Sequence, residues 1–331
     1  MVRSMLFHRG HRPAATRPSP VDEVLLDAPD TRLGPALVAA GQGDHGPAAK
    51  LLALTRENAE WENRDRYAVR LAAFAHRRPE WFAGWLAASP GDPDALLVSA
   101  ELAVRRFWES PARAELLRDT APLIRTAVAE GDPRDPVPWR IALDQACGVD
   151  APPDVFEPLW AEAVRRAPHH YGSHVSALLY LSVRGSVNDC FDFAERAAED
   201  TRPGSLVQAL PVRAALACLT GGGAAPVPVA RIDRAADLAI ALSAQYAAGD
   251  PWPAEVRNVL AYVLLARQRW AEASKQFRLI GPYATSFPWD VFTDDPLDRF
   301  LAARDAVRSR TAPQVPQGGR AGRIRSRGHY A

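Results

Sequence analysis

Prolines punctuate this chain at a spacing that suits paired helices. Pro168, Pro203, Pro251 and Pro282 open or close segments at intervals of 35, 48 and 31 residues. A proline has no amide to give to a helix interior, so each one marks a helix end. The clearest stretch is residues 256–282. Val256, Val259, Leu260, Val263 and Leu264 fall on one helical face; Gln268 interrupts, and Trp270, Ala273, Phe277 and Ile280 resume. That pattern predicts an amphipathic helix, a turn and a second amphipathic helix, about one repeat of a helical solenoid. Arrays of this kind present surfaces to partners.

The same reading extends over most of the chain. A helix carrying Ala48, Leu51, Leu52 and Leu54 follows Asp44 as its N-cap, and a second carries Trp61, Tyr67, Val69, Leu71 and Phe74. Pro79 suits the first turn of a third, where no backbone donor is needed. Ser89-Pro90-Gly91-Asp92-Pro93 and Gly131-Asp132-Pro133-Arg134-Asp135-Pro136 are stop-and-restart signals. Between them the spacing predicts one helix with Leu96, Ala100, Val104 and Phe107 and one running through Leu116, Leu117, Ile124 and Val128. Residues 206–219 form a further helix, and Gly221-Gly222-Gly223 begins a flexible linker over 220–230. Strand-like alternation is scarce, which argues against a β core or a nucleotide-binding sheet.

Charge is distributed unevenly. The net charge is +1, but residues 1–20 hold four arginines and residues 308–331 hold six, with no acid in either. Taking those ten from the 40 basic residues leaves 30 against 39 acids in between, a net of −9. The body, residues 21–307, is therefore a poor nucleic-acid surface; both ends read as disordered basic tails, and any nucleic-acid contact belongs to them. Cys147, Cys190 and Cys218 lie far apart and read as buried free thiols of a reducing compartment. With no signal-peptide core and no apolar run near the ~20 residues that span a bilayer, the expected location is the cytoplasm.

Two resemblances follow from these residues. Asn258-Val259-Leu260-Ala261-Tyr262, then Trp270-Ala271-Glu272-Ala273, Phe277 and Pro282, resembles one tetratricopeptide repeat. Ala261 and Ala273 stand at the small positions of its two helices, and Phe277 at the large aromatic. Ala177, Tyr180, Cys190, Ala194, Ala197 and Pro203 match a second repeat less closely, and Trp160, Ala163 and Pro168 keep half of a third. Over residues 55–307 the chain is also similar to an actinobacterial and proteobacterial family of helical-repeat proteins whose domain has no assigned function. The resembling blocks are residues 61–70, 81–108 and 160–181, Phe287-Pro288-Trp289 and Asp295-Pro296. The resemblance implies a fold: all-α, a right-handed solenoid of stacked antiparallel helix pairs.

Chemistry has few footholds in the sequence. In His169-His170-Tyr171-Gly172-Ser173-His174, His170 and His174 fall one turn apart, a spacing that can bind zinc. No glutamate follows as a general base, and a helix-capping role accounts for the same residues. No Gly-x-Ser-x-Gly elbow is present, and most of the nine tryptophans read as packing between repeats. Trp289 is expected to lock a C-terminal cap onto the last repeat. The sequence therefore predicts a non-catalytic protein- or peptide-binding scaffold without a cofactor. The first helix of each pair would line its groove, with Arg140, Asp144, His174, Asn258 and Tyr262 as the candidate partner-binding residues. The alternatives are a metal-dependent enzyme at His170 and His174, or an accessory protein that holds nucleic acid through its tails.

Overall fold

A computed structural model describes residues 24–108, 110–221 and 227–312. Nearly all of their regular secondary structure is helical. After a two-residue strand β1 (Leu25–Leu26), the helices run α1 (Leu33–Gly41), α2 (Gly46–Glu57), α3 (Trp61–Arg77), α4 (Pro79–Ala88), α5 (Pro93–Trp108), α6 (Arg113–Asp119), α7 (Ala121–Glu130) and α8 (Val137–Gly148). They continue as α9 (Pro153–Arg166), α10 (Tyr171–Arg184), α11 (Val187–Asp200), α12 (Leu210–Thr220), α13 (Val229–Ser243), α14 (Ala254–Ala266) and α15 (Trp270–Ile280). A second short strand β2 (Tyr283–Ala284) precedes α16 (Pro296–Thr311).

The cadence prolines stand where helices end or begin: Pro168 after α9, Pro203 after α11, Pro251 before α14 and Pro282 after α15. Two helices expected to be continuous are broken. Pro122 divides residues 113–130 into α6 and α7, and Pro211 leaves Leu206–Ala209 as a 3-10 turn ahead of α12. In each case the missing amide and the crowded preceding residue end the first segment. Asp44 stands two residues before α2, where its carboxylate accepts from the Gly46 amide at 2.8 Å. Residues 222–226 of the expected linker lie outside the described residues, but its flanks are ordered, with Thr220 closing α12 and Val229 opening α13.

Helix α16 runs through Arg308 and Arg310, so the first four residues assigned to the C-terminal tail belong to the folded body. Arg310 lies over the Trp270 ring, 4.8 Å from its centroid. Residues 1–20 and 313–331 lie outside the described residues.

Packing follows chain order. α1 lies against α2, α3 against α4, α5 against α7, α8 against α9, α10 against α11, α12 against α13 and α14 against α15. The first members of these pairs also touch in series, α3 to α5, α8, α10, α12 and α14. Four successive apolar clusters form along the chain, from Leu33 through Ala177 to Val307. Four hairpins share one turn. Gly43, Ala59, Asp150 and Gln268 each take a positive φ of 89°, 53°, 54° and 58°. The next amide in each case reaches a carbonyl five residues back: Asp44 to Ala39, Glu60 to Thr55, Ala151 to Ala146 and Arg269 to Leu264. This is the Schellman closure of a helix C-terminus.

Distant parts of the chain also meet. α3 touches α10, and β1 pairs in parallel with β2, Leu25 opposite Tyr283 and Leu26 opposite Ala284.

Candidate functional site: a charged cavity on the inner helices

A cavity of about 490 Å³ lies among the inner helices. Glu62, Asp65, Arg66 and Arg70 reach it from α3, Arg105 from α5, Arg140 and Asp144 from α8, Tyr171 and Ser176 from α10, Arg213 from α12 and Glu255 from α14. Residues 27–30, between β1 and α1, and residues 283–287, around β2, complete the wall. The α3 residues recur at i, i+3, i+4 and i+8, which places them on one helical face.

A buried ion cluster sets the shape of this wall. Arg140, 4% exposed, donates to Asp65 at 2.5 Å, Glu101 at 2.7 Å and Asp144 at 2.8 Å, so one guanidinium ties α3, α5 and α8 together. Asp144 accepts in turn from the Ser176 hydroxyl on α10 at 2.5 Å. Burial opposes the charge on Arg140, but Asp65, Glu101 and Asp144 outweigh it and hold the guanidinium above the ordinary arginine range. Burial pushes Asp65 up to about 6 despite Arg140, and raises Asp144 as well. Truncating one member of such a cluster costs about 3–5 kcal/mol, because the others are left charged and buried.

Across the cavity, Arg213 pairs with Glu255 and lies over the Phe287 ring, 4.4 Å from its centroid. Burial pushes the Tyr171 phenol up to about 12. Glu62 accepts from the Tyr171 amide at 2.8 Å, and burial raises its carboxyl above the usual range. Arg66 bonds Asp30 at 2.5 Å and stacks on Trp252 at 5.1 Å, while Arg70 bonds Asp27 at 2.9 Å. Arg105 differs from the other cavity arginines: among the described residues it has no carboxylate partner, and it is exposed. It stands one turn beyond Glu101 on α5.

The five residues expected to line a groove divide into two groups. Arg140 and Asp144 lie together in the cavity wall, though Arg140 is engaged by its carboxylates. His174, Asn258 and Tyr262 are not in that wall. His174 is 6% exposed; its ring meets Trp160 edge-on at 5.1 Å and its Nδ1 lies 2.9 Å from the His170 carbonyl. Asn258 is fully buried and bonds Trp289 and the Ala254 carbonyl. Tyr262 stacks on Phe292 at 4.8 Å. Exposure for partner capture is therefore absent at His174 and Asn258, because α10 and α14 turn these positions toward neighbouring elements.

His170 caps α10, with the Ser173 amide donating to its Nδ1 at 3.3 Å and its Nε2 3.5 Å from Asp65. Among the described residues no group of three or more His, Cys, Asp or Glu side chains is placed to hold a metal. Of the three free cysteines only Cys190 is fully buried; Cys147 and Cys218 are partly exposed.

The sequence does not single out Asp65, Arg66, Arg70, Arg105, Arg213 or Glu255. Their signal is a polar stripe on each inner helix, clearest in Trp61-Glu62-Asn63-Arg64-Asp65-Arg66. Such a stripe reads as a solvated face until the helices are known to curve around a common space. No helix among the described residues is long and apolar enough to cross a membrane. Compared with protein-family models, with curated proteins and with solved structures, the chain matches none.

Proposed function

We propose that this chain is a right-handed, tetratricopeptide-like solenoid that binds a peptide without catalysis, acting in the cytoplasm, and that the charged cavity is where the peptide is held. One observation carries the reading: α3, α5, α8, α10, α12 and α14, the first members of successive helix pairs, all supply residues to one cavity. Paired carboxylates and guanidiniums there offer donors and acceptors for an extended backbone. Arg105 supplies a charge that no carboxylate of the described chain neutralises, which suits a peptide carrying a terminal or side-chain carboxylate.

A photo-crosslinking amino acid placed at Val175, inside the cavity, tests this against one at Leu238, exposed on α13. Peptide adducts should form at Val175, stay rare at Leu238, and fall at least tenfold when Arg105→Glu is added. Equal labelling at both positions, or labelling at Val175 indifferent to Arg105→Glu, sinks the reading.

A further inference from the structure

Residues 24–30 form a strap across one side of the cavity, and its attachment is of an unusual kind. No residue from Val24 to Arg32 is buried, and Leu25 is 53% exposed. Backbone pairing and two carboxylates hold the strap, together with the half-buried Val24 and Leu26, which pack against the apolar cluster running from Leu178 to Val307. The Leu25 amide donates to the Pro282 carbonyl at 2.9 Å and the Asp27 amide to the Ala284 carbonyl at 2.8 Å. Asp27 accepts from Arg70, from the Ser286 amide at 3.1 Å and from the Ser286 hydroxyl. Asp30 accepts from Arg66 and from the Tyr67 hydroxyl at 2.9 Å.

This is how an extended peptide is recognised by strand addition: main-chain bonds to a free edge, with alternate side chains read by fixed groups. Here the edge is β2, Arg70 and Ser286 read Asp27, Arg66 reads Asp30, and the peptide is residues 25–30 of the same chain. We infer that residues 24–30 are an intramolecular stand-in for a partner peptide, and that the β2 edge with Arg70 and Ser286 is a docking site for an extended segment with two apolar residues followed by an aspartate. The inference rests on the peptide-binding reading and specifies the partner's chemistry and its point of entry.

Charge complementarity selects that class of occupant. The two arginines meet the strap through its acids, so a basic segment would leave both without a carboxylate and bring like charge to them. A tethered segment competes at an effective concentration on the order of millimolar. An incoming peptide therefore gains access only when it outcompetes the strap or when the strap is released.

The test uses the full chain and a fluorescent synthetic peptide of residues 24–32. The wild type should bind it at least tenfold more weakly than a full-length Leu26→Asn, Asp27→Asn variant, whose strap is loosened. Adding Arg70→Ala to that variant should weaken binding at least tenfold, and so should Asp27→Ala in the peptide. The inference is overturned if the loosened variant, still helical by circular dichroism, shows no saturable binding or binds no better than wild type. It is also overturned if the variant forms a concentration-dependent dimer that the peptide leaves intact, because a second copy would then be the occupant.

Should the variant fail to fold, hydrogen exchange on the wild type decides. The Leu25 and Asp27 amides must exchange at least tenfold faster than those of the α14 interior, as expected of a segment that opens on its own. Equal protection overturns the proposal. Val175 adducts that persist when the loosened variant binds no peptide overturn this inference alone, and their loss while that variant still binds overturns the cavity reading alone, so the two readings fail separately.

Discussion

The indole nitrogen of Trp289 donates to the side-chain oxygen of Asn258 at 2.9 Å, and both residues are buried. Asn258 spends its amide on the Ala254 carbonyl one turn back, so α14 presents one oxygen, already oriented, to the segment that follows β2. Trp289 packs there against Phe277 and meets Phe300 edge-on, which closes the apolar end of the last helix pair with α16. Asn258→Ala leaves the indole N–H buried without an acceptor and should cost about 1–3 kcal/mol. Urea unfolding of Asn258→Ala, Trp289→Phe and the double variant checks this. The double variant should lose less than the sum of the singles, and strict additivity would refute the coupling.

Gly172 allows α10 to approach α3. A Cβ there would fall within contact distance of the Asp65 carboxylate, the group that Arg140 holds. Gly172→Ala should destabilise by about 1–3 kcal/mol through overpacking, whereas Gly84→Ala, with open space around it, should not. Thermal melts of the two variants compare them directly.

Two buried groups on α3 and α10 give opposite pH dependences. Burial pushes Asp65 up to about 6, so the folded chain keeps that proton longer than the unfolded one. Its contribution to stability therefore declines as pH rises from about 4 to 6. Burial pushes His174 down to about 4. The unfolded chain takes up that proton first, near 6.5, so stability declines as pH falls from about 6.5 to 4. Urea unfolding at pH 7 and pH 4.5 should show wild type minus Asp65→Asn growing toward acid and wild type minus His174→Phe shrinking, each by about 1–3 kcal/mol. Differences that do not change with pH would contradict both assignments.

The repeated hairpin turn is a place to gain stability. Ala59 and Gln268 occupy the left-handed position that Gly43 fills in the first hairpin, and both are exposed. A side chain in that conformation costs about 1–2 kcal/mol relative to glycine. Ala59→Gly and Gln268→Gly should each raise the unfolding free energy by about 0.5–1 kcal/mol, net of the greater freedom glycine gives the unfolded chain. A lowered melting temperature for either would count against the shared geometry.

Helix boundaries were legible because proline chemistry is local: Pro79, Pro93, Pro168 and Pro203 act on their own turns. Pro122 and Pro211 act equally locally, but the apolar spacing continues across both and masks the breaks. The role of Trp289 was legible from its place beside Pro288 and the need for a terminal cap. The cavity was not. Whether Arg140 or Asn258 faces inward depends on how each pair rotates against the next, and that is fixed by contacts such as α3 with α10 rather than by spacing within one helix. Asp27 posed the same problem more sharply, since its partner Ser286 is 259 residues away.

Strand β1 leaves the ribosome long before its partner. Leu25 lies opposite Tyr283, and at roughly 5–20 residues per second the separation amounts to roughly 13–50 s of synthesis. Through that interval every inner helix can form and stack on its predecessor while the leading segment has no edge to join. Closing the circuit then costs about 5 kcal/mol of loop entropy if the intervening chain is unstructured, and far less once the helices have carried residue 283 back to residue 25. Pairing of the two strands thus follows the helices between them in biogenesis, as the mark that every one of those is in place.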